Sequence, residues 1–298
     1  MHTCNCHNQS DVHFGDYFSE NLYSWCTNCG NYGIHAAVKR ALVAENIAPC
    51  QTLLCFDIGC HGNGSDKIGG YRFHGLHGRI IAFACGASVA NRQIKVIAFG
   101  GDGGTLGEGI NHLVAAVRGN FDITFILHNN LNYGLTQGQA SATTKTGVKM
   151  NSSPDGVTSD PLHPMRFVLS LAPSFVARTF SGDVNHMTQT FQAGLLHKGF
   201  SFIEVLQSCP TYNHMTPHEW YQSRVKDVSQ IGGHNPSDFA AARQIAEDLE
   251  NQIAVGVLYQ NRQSVPFMDR QANRLQVTSE LVDEVHPVST QKLFDAFR

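Results

Sequence analysis

Apolar residues recur along this chain in two alternating rhythms. Short, nearly continuous apolar runs near 52–56, 95–99, 123–128, 174–179 and 201–206 read as strands buried on both faces. Between them, apolar positions return at helical spacing. Ile34, Ala37, Val38, Ala41 and Leu42 mark one face of a helix near 32–45, and further helices are expected near 76–90, 108–118 and 183–198. Strand–helix alternation of this kind predicts an α/β fold with a doubly wound parallel sheet.

The connection 136–164 is rich in Thr, Ser, Gly and Pro and predicts a long functional loop. After Val225 the composition changes. Gly232-Gly233 and Asn235-Pro236 read as a linker, Phe239 to Glu250 as an amphipathic helix and Ile253 to Tyr259 as a strand, with the last forty residues as an arm that buries little by itself. The expected division is therefore 1–228, an α/β domain, and 229–298, a C-terminal extension in contact with another subunit.

The densest chemistry lies between Lys95 and Gln139. Gly101-Asp102-Gly103 follows one predicted strand and Asn129-Asn130 follows the next, with 25 residues between. Ile110, Leu113, Val114 and Val117 form a helix face in that interval, and Gly119 supplies a stop. One β-α-β unit thus brings Asp102 and Asn130 to the carboxyl ends of adjacent parallel strands, where such sheets bind ligands. A carboxylate and an amide oxygen suit a hard divalent cation, and Mg²⁺ completes its octahedron with phosphate oxygens. The expectation is a diphosphate site.

Nine cysteines, an odd number, argue against a disulfide framework. Cys26-Thr27-Asn28-Cys29 could hold zinc, hold an iron–sulfur cluster or exchange disulfides. Cys60 and Cys209 each follow a predicted strand on the cofactor side of the sheet, which suggests a four-thiolate site. Cys55 and Cys85 fall within apolar segments and read as core, Cys50 as an ordinary loop thiol. Cys4 and Cys6, with His2 and His7, form a metal-capable cluster near the start. Among sixteen histidines, His77 and then His74 stand out because FHGLHGR lies between site-forming segments and opens a predicted helix, whereas His112 reads as packing.

GDG followed by NN at this distance resembles the thiamine diphosphate signature. WCTNCG (25–30), IGCHG (58–62), LHGR (76–79), YGLTQGQAS (133–141) and VLQSCPTYN (205–213) follow the same order as in the β subunits of 2-oxoacid:ferredoxin oxidoreductases, archaeal-type and 2-oxoglutarate-type, over roughly residues 20–225. The resemblance implies Mg²⁺ on Asp102, Asn130 and the Asn132 carbonyl. It implies thiamine diphosphate against Ile58, Gly59, Cys60, His61, His77, Gly103, Gly104, Gly134, Leu135 and Thr136, with His77 catalytic. It implies a [4Fe–4S] cluster on Cys26, Cys29, Cys60 and Cys209. The reaction implied is coenzyme A-dependent oxidative decarboxylation of a 2-oxoacid, with electrons passed through the cluster to ferredoxin. Partners implied are an α subunit, which in such enzymes can carry a fused γ-type domain, in an (αβ)2 assembly whose other chain supplies the pyrimidine-binding half and its glutamate.

Two other readings compete: a thiamine diphosphate lyase or decarboxylase without a cluster, which convergence of the four cysteines would disfavour, and a non-enzymatic zinc-binding interaction protein, which leaves GDG and NN unexplained. Asn63 and Gln137, where 2-oxoglutarate-type relatives carry basic residues, are neutral here, leaving Lys67, Arg72 or the partner to supply charge. His61 and Gly62 depart from the small hydroxyl residues common at those positions.

Composition changes the picture little. With 42% hydrophobic residues the chain can bury a large core, and a net charge of −3 carries no footprint for nucleic acid. Ile80 to Ala90 is too short to span a bilayer and the polar start holds no apolar signal segment, so a cytoplasmic protein is expected.

Overall fold

The computed structural model describes residues 11–286 and 289–297; the Cys4/Cys6 cluster lies outside them. The predicted apolar runs are strands: β1 (Thr52–Phe56), β3 (Lys95–Gly101), β4 (Ile123–Asn129), β5 (Phe175–Phe180) and β6 (Phe200–Leu206). Every residue of β4, β5 and β6 is buried, the burial expected of strands covered on both faces.

Three more strands join them: β2 (Tyr71–His74), β7 (Val225–Asp227) and β8 (Ile253–Gln260). The order is β2-β1-β3-β4-β6-β5-β8-β7, parallel throughout except that β8 runs antiparallel to β5. The C-terminal region thus contributes a strand to the main sheet. Its arm is tied back by Glu280, which accepts from both the backbone N–H and the Nε of Arg92.

Helices cover both faces. On one, α1 (Asn31–Ala44) and α5 (Val184–Leu196) bury Ile34, Leu42, Met187 and Phe191. On the other, α2 (Ile80–Ala90), α3 (Ile110–Gly119), α4 (Pro164–Ser170) and α7 (Phe239–Ile245, after the short α6, His218–Gln222) bury Ile81, Leu113, Met165 and Ala242. Cys55 and Cys85 lie in this second core as expected. The sheet is doubly wound, and the chain changes direction between β1 and β3, where their carboxyl ends open a crevice.

Several boundaries differ from expectation for local reasons. Residues 71–74 form an edge strand with every side chain exposed, which erases any burial pattern, and α2 begins only at Ile80 after a turn at His77-Gly78. The helix expected over 239–250 stops at Ile245, because the Asp248 carboxylate captures the backbone N–H groups of Glu250, Asn251 and Gln252 and closes a turn. The helix after GDG is preceded by one wide π-type turn, Gly104–Glu108. Asn120, in the left-handed conformation (φ 54°), ends α3 one residue later than Gly119. The loop 136–164 hands over to α4 with Pro164 at its first turn. Cys50 is not a free loop thiol: it sits half-buried in the turn entering β1 and is disulfide-bonded.

Candidate active site

Asp102 leaves the end of β3 into the sheet's carboxyl edge and is 1% exposed. Its Oδ2 accepts hydrogen bonds from the Ser141 and Thr143 hydroxyls, each at 2.5 Å. Burial pushes its carboxyl up to about 6, against the opposing pull of those hydroxyls and of the Asn130 backbone N–H. Among the described residues Asp102 has no ion pair. A carboxylate buried without a cation is costly, so the residues present fit a divalent ion. Around it, Asn132 donates its backbone N–H to Asn130 Oδ1 (3.1 Å) and its amide to the Asn130 carbonyl (2.8 Å), and Leu131 between them adopts a positive φ of 61°. The two asparagines are therefore folded onto one another beside Asp102, at the end of the neighbouring strand. Gly103 and Gly104 have no room for side chains: a Cβ at the first would stand 2.2 Å from the Tyr133 ring, and at the second 2.4 Å from Asp57 Oδ2.

A second polar group flanks this one. Asp57, at the end of β1, is fully buried, and burial raises it to about 6. It accepts from the backbone N–H groups of Ile58 and Gly78. The turn carrying Gly78 holds His77, half-buried, with Nε2 4.0 Å from Glu108 Oε2. Tyr133 donates its hydroxyl to Glu108 Oε1 at 2.9 Å, and its ring stands edge-on to the His77 ring at 5.9 Å. His77 thus sits against the Gly103-Gly104 segment, carried by a turn rather than by a helix start. His74 is exposed at the end of β2, and His112 lies on α3.

The four candidate thiols come from three separate segments, Cys26 and Cys29 sharing one turn. Cys26 is exposed; Cys29, Cys60 and Cys209 are half-buried. Burial raises the Cys29 thiol to about 11, with Cys209 and Cys26 adding to it, and raises Cys60 to about 12, with Cys29, Cys209 and Cys26 adding. Geometry brings them together: the space over Gly134 lies 3.1 Å from Cys60 Sγ and 3.3 Å from Asn132 Oδ1, and Cys26 and Cys29 share one turn. Gln207 Nε2 approaches Cys29 Sγ at 3.8 Å, and Cys209 Sγ approaches Asn132 Oδ1 at 3.9 Å, which ties the thiols to the Asn130–Asn132 turn. Among the described residues no three His, Cys, Asp or Glu side chains are gathered as tightly as one ion requires. A cubane cluster spreads four thiolates more widely than a single ion, and four free thiols with no carboxylate among them are its donor set.

His61 is buried, and its ring stacks on that of His128 with centroids 5.1 Å apart. Burial holds its imidazole well below the usual histidine range, and its Nε2 has no hydrogen-bond partner among the described residues. A Cβ on Gly101 would lie 3.1 Å from this ring, and one on Gly134 3.1 Å from Cys60 Sγ. Ile58 and Gly59 join Asp57 to Cys60 and are half-buried, whereas Leu135 (43% exposed) and Thr136 lie on the open rim. Lys67 is committed to Asp66 at 2.6 Å and to a buried position. Arg72 is exposed on β2.

Asp57, Glu108, Tyr133, Ser141 and Thr143 were not singled out by the sequence, nor were Arg178 and Glu204. For the last two a signal existed: each is a charged residue in the middle of an apolar strand, FVARTF and FSFIEVL. For the others, ordinary polar loop residues acquire meaning only through their distance to Asp102 or His77.

Comparison with known proteins agrees with this geometry. Residues 57–205 match the C-terminal TPP binding domain of thiamine pyrophosphate enzymes, and residues 209–275 match the C-terminal region of the pyruvate ferredoxin oxidoreductase beta chain. The chain is 39% identical over 267 residues to 2-oxoacid:ferredoxin oxidoreductase 1, subunit beta, of Aeropyrum pernix, covering 87% of this chain and 84% of that one. It is 37% identical over 261 residues to the corresponding subunit beta of Saccharolobus solfataricus, covering 84% and 86%. A solved structure of 2-oxoglutarate:ferredoxin oxidoreductase from Magnetococcus marinus, with 2-oxoglutarate, coenzyme A and succinyl-CoA bound, superposes with a TM-score of 0.85 at 28% identity, covering 98% of each chain. The fold is thus that of a thiamine pyrophosphate enzyme. The chain belongs to the family of 2-oxoacid:ferredoxin oxidoreductase β subunits, oxidoreductases that use an iron–sulfur protein as acceptor.

Proposed function

We propose that this chain is the cofactor-bearing β subunit of a coenzyme A-dependent 2-oxoacid:ferredoxin oxidoreductase, and that it holds Mg²⁺, thiamine diphosphate and one [4Fe–4S] cluster. The observation that carries the reading is that Cys26, Cys29, Cys60 and Cys209 share one neighbourhood directly beside the Asp102 and Asn130 strand ends. A lyase without a cluster has no use for that convergence, and a zinc-binding protein has none for the buried, unpaired Asp102.

Asp102, the Asn130 side chain and the Asn132 carbonyl would hold Mg²⁺, while Gly103 and Gly104 let the backbone approach the diphosphate. Ile58, Gly59, Gly134, Leu135 and Thr136 would line the remaining cofactor surface, with His61 behind them. Bound there, thiamine diphosphate supplies carbanion chemistry at the 2-oxo carbon and the cluster supplies one-electron acceptance. The overall reaction converts a 2-oxoacid and coenzyme A into carbon dioxide and an acyl thioester, with two electrons leaving to ferredoxin. His77 supplies a hydrogen bond from its imidazole toward the diphosphate or substrate, and Glu108 and Tyr133 fix the plane of its ring. The burial that keeps Cys29 and Cys60 protonated in the metal-free chain means that cluster assembly releases their protons. The catalytic unit is the pairing with an α subunit, in an (αβ)2 assembly.

Cys209→Ser tests the reading. Iron and sulfide content and the broad absorption near 400 nm should fall in the purified complex, although Cys209 lies far along the chain from its partners. Full iron content in that variant overturns the four-thiolate site.

A further inference from the structure

Arg178 on β5 and Glu204 on β6 are register partners in the centre of the sheet, with side chains 1% and 2% exposed, and Arg178 Nε donates to Glu204 Oε2 at 2.8 Å. Their strand neighbours Val176, Ala177, Phe202, Ile203 and Val205 are buried and apolar. A buried ion pair contributes little to stability, since an apolar pair of similar volume usually serves as well or better. Nor is the arrangement built to satisfy the arginine, whose Nη1 has no hydrogen-bond partner among the described residues. It is built around the glutamate.

Glu204 Oε1 accepts from Asn129 Nδ2 at 2.7 Å. That contact fixes which way the Asn129 amide faces, and its Oδ1 is turned to the Thr143 hydroxyl at 3.1 Å. The same hydroxyl reaches Asp102 Oδ2 at 2.5 Å. An unbroken line of contacts thus runs from the buried pair to the carboxylate assigned to Mg²⁺. Every residue on it is buried. Asn129 also immediately precedes Asn130, and its carbonyl accepts the Gln207 N–H at 3.0 Å, so its side chain and backbone are both held.

We propose that Arg178 and Glu204 are positioning residues for the divalent-cation site, acting through Asn129 and Thr143 to hold the Asp102 carboxylate and the Asn130 backbone in the geometry the ion needs. The proposal rests on the assignment of Mg²⁺ and a diphosphate to Asp102. Metal sites behave this way in general: residues that orient a ligand without touching the ion set its affinity.

The test uses the co-purified αβ complex, stripped with chelator and titrated with Mg²⁺ at fixed thiamine diphosphate, with retained thiamine diphosphate measured after gel filtration. Thr143→Val and Glu204→Gln should each raise the half-saturating Mg²⁺ concentration about tenfold or more, with circular dichroism and iron content as in the parent complex. The Thr143→Val/Glu204→Gln double variant should lose little beyond the worse single variant, because both break one line of contacts. Arg178→Met/Glu204→Leu, which leaves no unpaired buried charge, should fold and show the same weakened Mg²⁺ dependence. It keeps the test open should Glu204→Gln fail to fold. Parent-like Mg²⁺ dependence in Thr143→Val and in Arg178→Met/Glu204→Leu overturns the positioning role, as do losses that multiply in the double variant. Failure of the parent complex to retain thiamine diphosphate at any Mg²⁺ concentration would instead overturn the cofactor assignment itself.

Discussion

Gly78 donates its backbone N–H to both carboxylate oxygens of Asp57, at 2.9 and 3.1 Å. The end of β1 is thereby clamped to the turn that carries His77. Gly78 holds φ at +66°, and a Cβ there would stand 2.7 Å from the Glu108 Cβ and 2.8 Å from the Gly104 carbonyl. Both the dihedral and the space demand glycine. Gly78→Ala should therefore destabilise the protein by about 1–3 kcal/mol and, by displacing His77 and Glu108 together, lower kcat of the complex. Chemical denaturation and steady-state kinetics on the same preparation check this. A variant with parent stability and parent kcat would show that the clamp is incidental.

Asp102 gives the metal-free protein an unusual pH dependence. Burial raises its carboxyl from 3.8 to about 6, so between those values the folded chain holds a proton that the unfolded chain has released. Its own contribution to stability must then decline as pH rises through this window and level off above about 6. At neutral pH the ionised carboxylate costs the folded state up to about 3 kcal/mol. Asp57, raised to about 6 in the same way by its own burial, adds to the slope. Burial holds His35, His61, His128 and His197 neutral, and their contribution rises with pH, so the Asp102 effect is read as a difference: Asp102→Asn should gain urea midpoint over the metal-free parent more at pH 7.5 than at pH 5. Added Mg²⁺ with thiamine diphosphate should recover stability chiefly at the higher pH. An Asp102→Asn gain that is the same at both pH values would contradict the burial argument.

How much of this was legible in the sequence follows from how local each signal is. β1, β3, β4, β5 and β6 announce themselves because strands covered on both faces are runs of apolar residues. β2 does not, since YRFH at the sheet edge is exposed throughout and neither alternates nor runs apolar. The helix over 239–250 looked longer than it is, because apolar spacing cannot register a carboxylate such as Asp248 that offers the backbone another set of hydrogen bonds. At the site, Asp102 and Asn130 were readable because each ends a strand of one β-α-β unit, so their proximity is a consequence of local connectivity. Ser141 and Thr143 meet Asp102 only through the path of the 136–164 loop, which has no periodicity to predict it. Cys26, Cys29, Cys60 and Cys209 stand between these cases. Strand ends suggested a common side of the sheet, but their convergence depends on the order β1-β3-β4-β6.

The final expectation concerns assembly. Tyr71, Phe73, Leu76 and Phe83 lie on or beside the edge strand β2, between 37% and 77% exposed, and Phe73 stacks on Phe83 with centroids 3.5 Å apart. Leu76 is next to His77, so this apolar surface runs to the rim of the candidate active site. On the other side of the rim, Leu135 is also open. Contiguous exposed apolar surface that meets a catalytic cleft marks an interface, and a β subunit implies an α subunit to cover it. Purified alone, the chain should show no coenzyme A-dependent reduction of a viologen dye by any 2-oxoacid, whereas the complex co-purified with its α subunit should turn over. Leu76→Asp, which puts a charge into the covered surface, should lower recovery of that complex without unfolding the chain, because Leu76 makes no core contact to lose. Pull-down yield and circular dichroism measure the two effects separately. Turnover by the isolated chain would show that the active site is complete within it, and undiminished recovery of Leu76→Asp would place the α subunit on another face.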